Sequence, residues 1–175
     1  MRSRPLLAWA GVFVAAGGVF LFSKTVTVLC VRNPYHGAPI YFKVTPPERV
    51  TLFFVNSIYN APVEEVFEVR QGALVLEEVR IDSAAVMEYY GFENSGPLQI
   101  LNRNLGPALS VQISMRQDQT LQIGGRTMDL RALGNPGDHV QIRVQDVSLA
   151  SYLLTKMRFL TRICGLMGAQ GDCQG

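Results

Sequence analysis

Between Ser23 and Ser148 the apolar residues return at every second position, and this period constrains the fold more than any other feature of the chain. From His139 to Gln145, Val140, Ile142 and Val144 occupy one parity, while His139, Gln141, Arg143 and Gln145 occupy the other. Such alternation places one face of an extended strand against a core and the other toward solvent. Leu109, Val111, Ile113 and Met115 alternate with Ser110, Gln112 and Ser114 in the same way, and Val26, Val28 and Cys30 alternate with Thr25 and Thr27. Further strands are predicted at 39–44, 50–57, 63–70, 73–81, 98–102, 120–123 and 127–132.

Turn chemistry separates these runs: Asn33-Pro34, Pro46-Pro47, Gln71-Gly72, Asn94-Ser95-Gly96, Gly106-Pro107, Gly124-Gly125 and Asn135-Pro136-Gly137. Short strands with frequent turn signals and no interleaved helical period predict an all-β domain, a β-sandwich or small barrel, and argue against a parallel α/β sheet. Between Leu76 and Val79 the apolar residues slip from even to odd positions, which a β-bulge at Glu77-Glu78 explains.

The two ends differ from this body. From Pro5 to Ser23 there are 19 consecutive uncharged residues, preceded by Arg2 and Arg4. As a helix rising about 1.5 Å per residue, the stretch spans roughly 28 Å, close to the hydrocarbon thickness of a bilayer. Basic residues stay on the cytoplasmic side, so the chain reads as a single-pass membrane protein with its domain on the extracytoplasmic side. A cleaved signal peptide competes, with small residues at Ala15-Ala16-Gly17 or Ala16-Gly17-Gly18, but Val19-Phe20-Leu21-Phe22 continues the apolar run. Ala8, Gly11, Ala15 and Gly18 share one helical face where another membrane helix would approach, though small residues are common in such segments. From Ser148 to Met167, Leu149, Tyr152, Leu153, Leu160, Ile163 and Met167 return at helical spacing, predicting an amphipathic tail helix that packs on the sheet or lies on lipid. The expected organisation is thus an anchor at 1–23, a β domain at 24–147, and a helix and tail at 148–175. Cys164 and Cys173 stand close enough in sequence to pair outside the cytoplasm; unpaired thiols are the equal alternative.

Charge narrows the function. Residues 24–155 carry 11 basic and 13 acidic side chains, leaving no positive excess to hold a phosphate backbone, so nucleic acid is not an expected partner. His36 and His139 have no neighbours at ligand spacing, and no Gly-x-Ser-x-Gly, His-Glu-x-x-His or phosphate loop is present. No metal, cofactor or catalytic residue is therefore assigned. The densest charge cluster is Glu64, Glu65, Glu68, Glu77 and Glu78. A hairpin closed at Gln71-Gly72 would set Glu65 close to opposite Glu78, and like charges so placed raise one carboxyl pKa. Such a pair suits glycoside hydrolysis or a hard cation; a solvated sheet face is the plainer reading. Asn56-Ser57 and Asn60 interrupt an apolar strand before Pro62, where short polar side chains either fix a chain corner or line a small pocket with Glu65.

The segment Phe54-Val55-Asn56-Ser57-Ile58-Tyr59-Asn60-Ala61-Pro62-Val63-Glu64-Glu65-Val66-Phe67, with Gly72-Ala73-Leu74-Val75-Leu76-Glu77-Glu78-Val79-Arg80, resembles the bacterial and archaeal family known as domain of unknown function 1850. Gln119-Thr120-Leu121-Gln122-Ile123-Gly124-Gly125-Arg126-Thr127-Met128-Asp129-Leu130 is similar to that family's closing hairpin. Ser57, Pro62, Val63 and Glu65 match the family pattern His-Ser-Val-Glu, two residues, Pro-Val-x-Glu; Asn56 stands where the family has histidine and Tyr59 where it has glutamate. Asn56 hydrogen-bonds but shuttles no proton near neutral pH, which weakens an enzymatic reading. The resemblance implies a small membrane-anchored protein encoded beside TRAP transporters of the TAXI subclass. The function so expected is that of a non-catalytic accessory or docking component, with a TRAP permease or solute-binding protein as partner and Asn56, Ser57, Tyr59, Pro62, Glu65 and Glu78 as the candidate polar corner. The alternative is a ligand-binding or hydrolytic envelope domain using the same Asn/Ser/Glu groups.

Overall fold

A computed structural model describes residues 18–92, 96–115 and 117–157. The chain divides into two compact units, one of Thr27–Gln145 and one of Met1–Val26 with Asp146–Gly175.

The larger unit is built on two antiparallel sheets. In chain order the strands are β1 (Thr25–Arg32), β2 (Ile40–Lys43), β3 (Glu48–Asn56), β4 (Ala61–Arg70), β5 (Ala73–Ile81), β6 (Leu98–Asn104), β7 (Ala108–Gln112), β8 (Thr120–Ile123), β9 (Arg126–Asp129) and β10 (His139–Ser148). Four of them lie in the order β2-β1-β10-β7 and six in the order β6-β5-β4-β3-β8-β9. The alternation holds as expected on β10, but on β1 the parity is reversed: Leu29 and Val31, and not the expected Val26, Val28 and Cys30, join the main core cluster. Leu29 and Val31 of β1 and Val140, Ile142 and Val144 of β10 share one buried cluster with Val50, Leu52, Phe67, Val69, Leu74, Leu121 and Ile123 of the six-stranded sheet. Phe67 is its largest fully enclosed side chain, and truncation there to alanine costs about 3–5 kcal/mol.

A helix α1 (Ala84–Tyr89) follows β5, where no helical period was legible, because six residues hold only one buried apolar position. That residue, Val86, fills a second cluster with Ala61, Val63, Val79 and Ile81, against which Tyr90 and Phe92 pack. The tight turn between β4 and β5 places Gln71 and Gly72 at φ of 51° and 76°, the pair of left-handed residues that a two-residue hairpin of matching twist requires. The predicted bulge is present, with Glu77 as the extra residue: Phe67 pairs with Leu76, but Val66 pairs with Glu78. On its other side Glu77 faces two residues of β6, Leu101 and Asn102, because the register runs from Leu76↔Arg103 to Glu78↔Ile100, and Asn102 has φ of 48°.

Two strands end sooner than their alternation suggests. Strand β7 ends at Gln112; Ile113 still exchanges backbone hydrogen bonds with Asp138 and Gly137 (2.8 and 2.9 Å), and beyond it the Ser114 amide donates to Gln119 Oε1 (2.8 Å) and the Gln117 amide to Ser114 Oγ (3.1 Å), so side chains turn the chain away. Strand β9 gives way to a 3-10 turn at Leu130–Leu133, where Asp129 Oδ1 accepts from the Arg131 amide (2.9 Å) and Leu130 is buried.

Buried Asn33 ties the loop after β1 to the start of β10. Its Nδ2 donates to Asp138 Oδ2 (3.0 Å), its Oδ1 accepts from the Tyr35 amide (2.9 Å), and the Asn135 amide also donates to Asp138 Oδ2 (2.9 Å). The Asn135 amide, with Asn33 next, holds the Asp138 carboxyl below the usual aspartate range. Gly134 lies against both polar side chains, with no room for a Cβ.

In the smaller unit, residues 18–23 and 149–157 are helical. Ser148 Oγ accepts from the Ser151 amide (3.2 Å) and so caps the second segment, and the Leu149 amide donates to the Lys24 carbonyl (2.7 Å). Among the described residues no helix is long and apolar enough to cross a membrane. Ala8, Gly11, Ala15, Cys164, Cys173 and the tail beyond 157 lie outside the described residues.

Candidate functional site

The bulge at Glu77 decides how the acidic residues are distributed. Without it, a hairpin closed at Gln71-Gly72 would pair Glu65 with Glu78, as the sequence reading expects. The extra residue shifts the register by one beyond Phe67, so Glu65 pairs with Val79 and Glu78 with Val66. A one-residue shift exchanges faces. The expected Glu65–Glu78 pair is therefore not formed.

Glu65 turns inward. Its cross-strand neighbours are Leu52 on β3 and Val79 on β5, and its same-face neighbours along β4 are Val63 and Phe67, so the carboxylate sits at the seam between the two apolar clusters. Tyr90 Oη, carried in by the end of α1, donates to Glu65 Oε1 at 3.4 Å. Burial pushes the Glu65 carboxyl above the ordinary glutamate range, opposed in part by the Tyr90 hydrogen bond. Burial, together with the neighbouring carboxylate, pushes the Tyr90 hydroxyl up to about 12. Sequence reasoning missed Tyr90, and only the placement of α1 over β4 and β5 brings it to Glu65.

The other four acids stay on the outer face and pair with arginines. Arg80 reaches Glu78 (3.0 Å) and Glu64 (3.3 Å), Arg49 reaches Glu78 (3.5 Å), and Arg70 reaches both Glu68 (2.8 Å) and Glu77 (2.6 Å). The Arg70 hydrogen bond is the main reason the Glu68 carboxyl falls below its ordinary range. This is an ion-paired, solvated sheet face. Among the described residues no three His, Cys, Asp or Glu side chains group to hold a metal ion.

The corner after β3 is fixed by Asn56, whose Oδ1 accepts from the amides of Ile58 (3.0 Å) and Tyr59 (3.2 Å). Asn60 sits at φ of 50°, and its Oδ1 accepts from Gln117 Nε2 (2.6 Å). Asn56 and Ser57 border a depression of about 530 Å3 whose other polar walls are Gln112, Ser114 and Gln119, with Met115 beside them. Pro62 borders a different depression, of about 260 Å3, with Phe53, Glu64, Arg80 and Thr120. The Tyr59 ring meets Tyr89 edge to face, centroids 6.5 Å apart. The six candidate residues thus fall in separate places: Asn56 and Ser57 at one opening, Pro62 at another, Tyr59 in the β3–β4 turn against Tyr89 of α1, Glu65 half-buried beside Tyr90, and Glu78 in an outer ion-pair network. The sequence placed them on adjacent strands but did not reveal which way each points.

The chain matches no family model, and comparisons with curated proteins and with solved structures find no significant match.

Proposed function

We propose that this chain is a membrane-anchored β-sandwich on the extracytoplasmic side of a bacterial or archaeal inner membrane, acting as a non-catalytic docking component of a TRAP-type transporter of the TAXI subclass. The observation that carries the docking reading is the opening beside Asn56 and Ser57. Its corner is held rigid by the Asn56 side chain, and amide and hydroxyl walls alternate with the exposed side chains of Met115 and, in the adjoining turn, Ile58 and Tyr59. A mixed polar and apolar rim with aromatic and methionine side chains suits a transient protein partner. The hydrolytic alternative requires Asn56 and Glu65 to converge on one substrate, whereas Glu65 turns toward Tyr90 and the core.

The anchor reading is supported by the smaller unit, where large apolar side chains stand exposed: Val19 (70%), Phe22 (67%) and, on the tail segment, Leu154 and Met157. The identity of the partner rests on the resemblance to the domain of unknown function 1850 family.

Crosslinking of the full-length chain in its native membranes, followed by mass spectrometry, tests the reading. A TRAP permease or solute-binding protein is the expected partner, with crosslinks at 56–59 and 112–115 lost in Ser57→Arg. Recovery of the chain alone would remove the transporter assignment. Release of the chain from alkali-washed membranes would remove the anchor.

A further inference from the structure

The outer face of the four-stranded sheet differs from that of the six-stranded one. On the latter, Arg49, Arg70 and Arg80 each face a glutamate. On the former, a depression of about 240 Å3 is lined by Cys30, Arg32, Tyr41, Gln141, Arg143 and Gln145, with Pro39 at its edge and no carboxylate among the lining residues.

The alternation of the strands builds this site. With Leu29 and Val31 turned into the core, Cys30 and Arg32 take the opposite face of β1; with Val140, Ile142 and Val144 turned in, Gln141, Arg143 and Gln145 take the opposite face of β10. Strands β1 and β10 are neighbours, and Tyr41 of β2 pairs with Cys30. Two guanidinium groups are therefore brought to one polar hollow from strands more than a hundred residues apart in sequence. Gln141 Oε1 accepts from Arg32 Nε (3.2 Å) and Nη2 (3.0 Å), which orients the guanidinium. A guanidinium carries five N–H donors, so this contact uses two of Arg32's. Both arginines also act on the floor of the hollow: burial raises the Cys30 thiol, while the positive charges of Arg32 and Arg143 pull it back down.

We propose that this hollow binds a small organic oxyanion, a carboxylate or a phosphate ester, between Arg32 and Arg143. Two guanidinium forks offer the paired donors that match carboxylate and phosphoryl oxygens, Gln145 adds an amide, and Tyr41 with Pro39 walls the organic part. A hollow of about 240 Å3 suits a small molecule. The site lies on a different sheet from the Asn56 opening and stands independently of the docking reading.

The test titrates the full-length chain in detergent with sodium succinate and, separately, inorganic phosphate, against sodium chloride of equal ionic strength, by calorimetry. Saturable binding of at least one oxyanion is expected, and which one binds separates carboxylate from phosphoryl recognition. Arg32→Gln and Arg143→Gln should each weaken it about tenfold, the loss of one charge-assisted contact. Arg103→Gln on β6 should leave it unchanged. A second readout needs no change at either arginine. In a Cys164→Ser/Cys173→Ser chain, alkylation of Cys30 should slow several-fold when the oxyanion saturates and not with chloride. Binding no stronger than chloride, binding that survives the double arginine variant, or Cys30 alkylation that follows ionic strength alone would each overturn the proposal.

Discussion

The Tyr90 hydroxyl donates to Glu65 across 3.4 Å at the seam of two apolar clusters, so a carboxylate faces the interior with a single phenol as its hydrogen-bonding side-chain partner among the described residues. Desolvation raises the folded-state Glu65 pKa above its unfolded value. Its contribution to stability is then fully present below the unfolded pKa and is lost as pH rises through the folded one. Urea unfolding between about pH 4 and about pH 8 should show the midpoint falling with pH in the native chain and staying flatter in Glu65→Gln, which is the more stable of the two at neutral pH. Tyr90→Phe should lower stability by about 1 kcal/mol and steepen the fall, since the bond it removes opposes the shift. Parallel pH profiles for the native chain and Glu65→Gln would contradict the interior placement.

Asp138 has the opposite sign. Its carboxyl is held down by the Asn135 amide and by Asn33, so its stabilising share is present above the unfolded pKa and is lost as pH falls through the folded one. Thermal unfolding from about pH 5 to about pH 2.5 should show an acid loss that Asp138→Asn flattens.

Gly134 tests the same clamp by volume. A Cβ there would overlap Asn33 Nδ2, stand 2.6 Å from Asp138 Oδ2, and touch Ile113 Cδ1 at 3.4 Å. Gly134→Ala should cost about 1–3 kcal/mol by forcing the clamp apart, read as a lowered urea midpoint. An unchanged midpoint would mean that the loop yields freely.

Gln71 adopts a left-handed conformation that its side chain does not favour. Gln71→Asn should stabilise the β4–β5 turn by about 0.5–1 kcal/mol, because asparagine reaches that region more readily. A drop in melting temperature would contradict this.

Asn56→Ala should remove two backbone partners at the corner after β3, costing about 1 kcal/mol. The amides of Ile58 and Tyr59 should then exchange faster with solvent, a local signature that hydrogen exchange resolves.

Much of the fold was legible because alternation is a local property. Val140, Ile142 and Val144 announced their face without reference to any other strand, and the parity slip between Leu76 and Val79 announced the bulge. The site was less legible because it depends on register and on pairings distant in sequence. The bulge that the slip revealed also moved Glu78 opposite Val66, a consequence that a straight count from Gln71-Gly72 overlooks. Helix α1 left no periodic trace in six residues, so Tyr90 could not be assigned to Glu65. Arg32 and Arg143 read as ordinary outward residues until β1 and β10 are known to be neighbours.

Strand β6 closes one edge of the six-stranded sheet and carries Ile100, 79% exposed, beside the partly exposed Leu98. An apolar edge of this kind is a template on which a second chain can add strands and begin a polymer. Asn102, left-handed opposite the Glu77 bulge, turns its peptide out of line with the ladder. A strand arriving along β6 would find the run of amides broken after its first few partners, so the irregularity also protects this edge from self-templated aggregation.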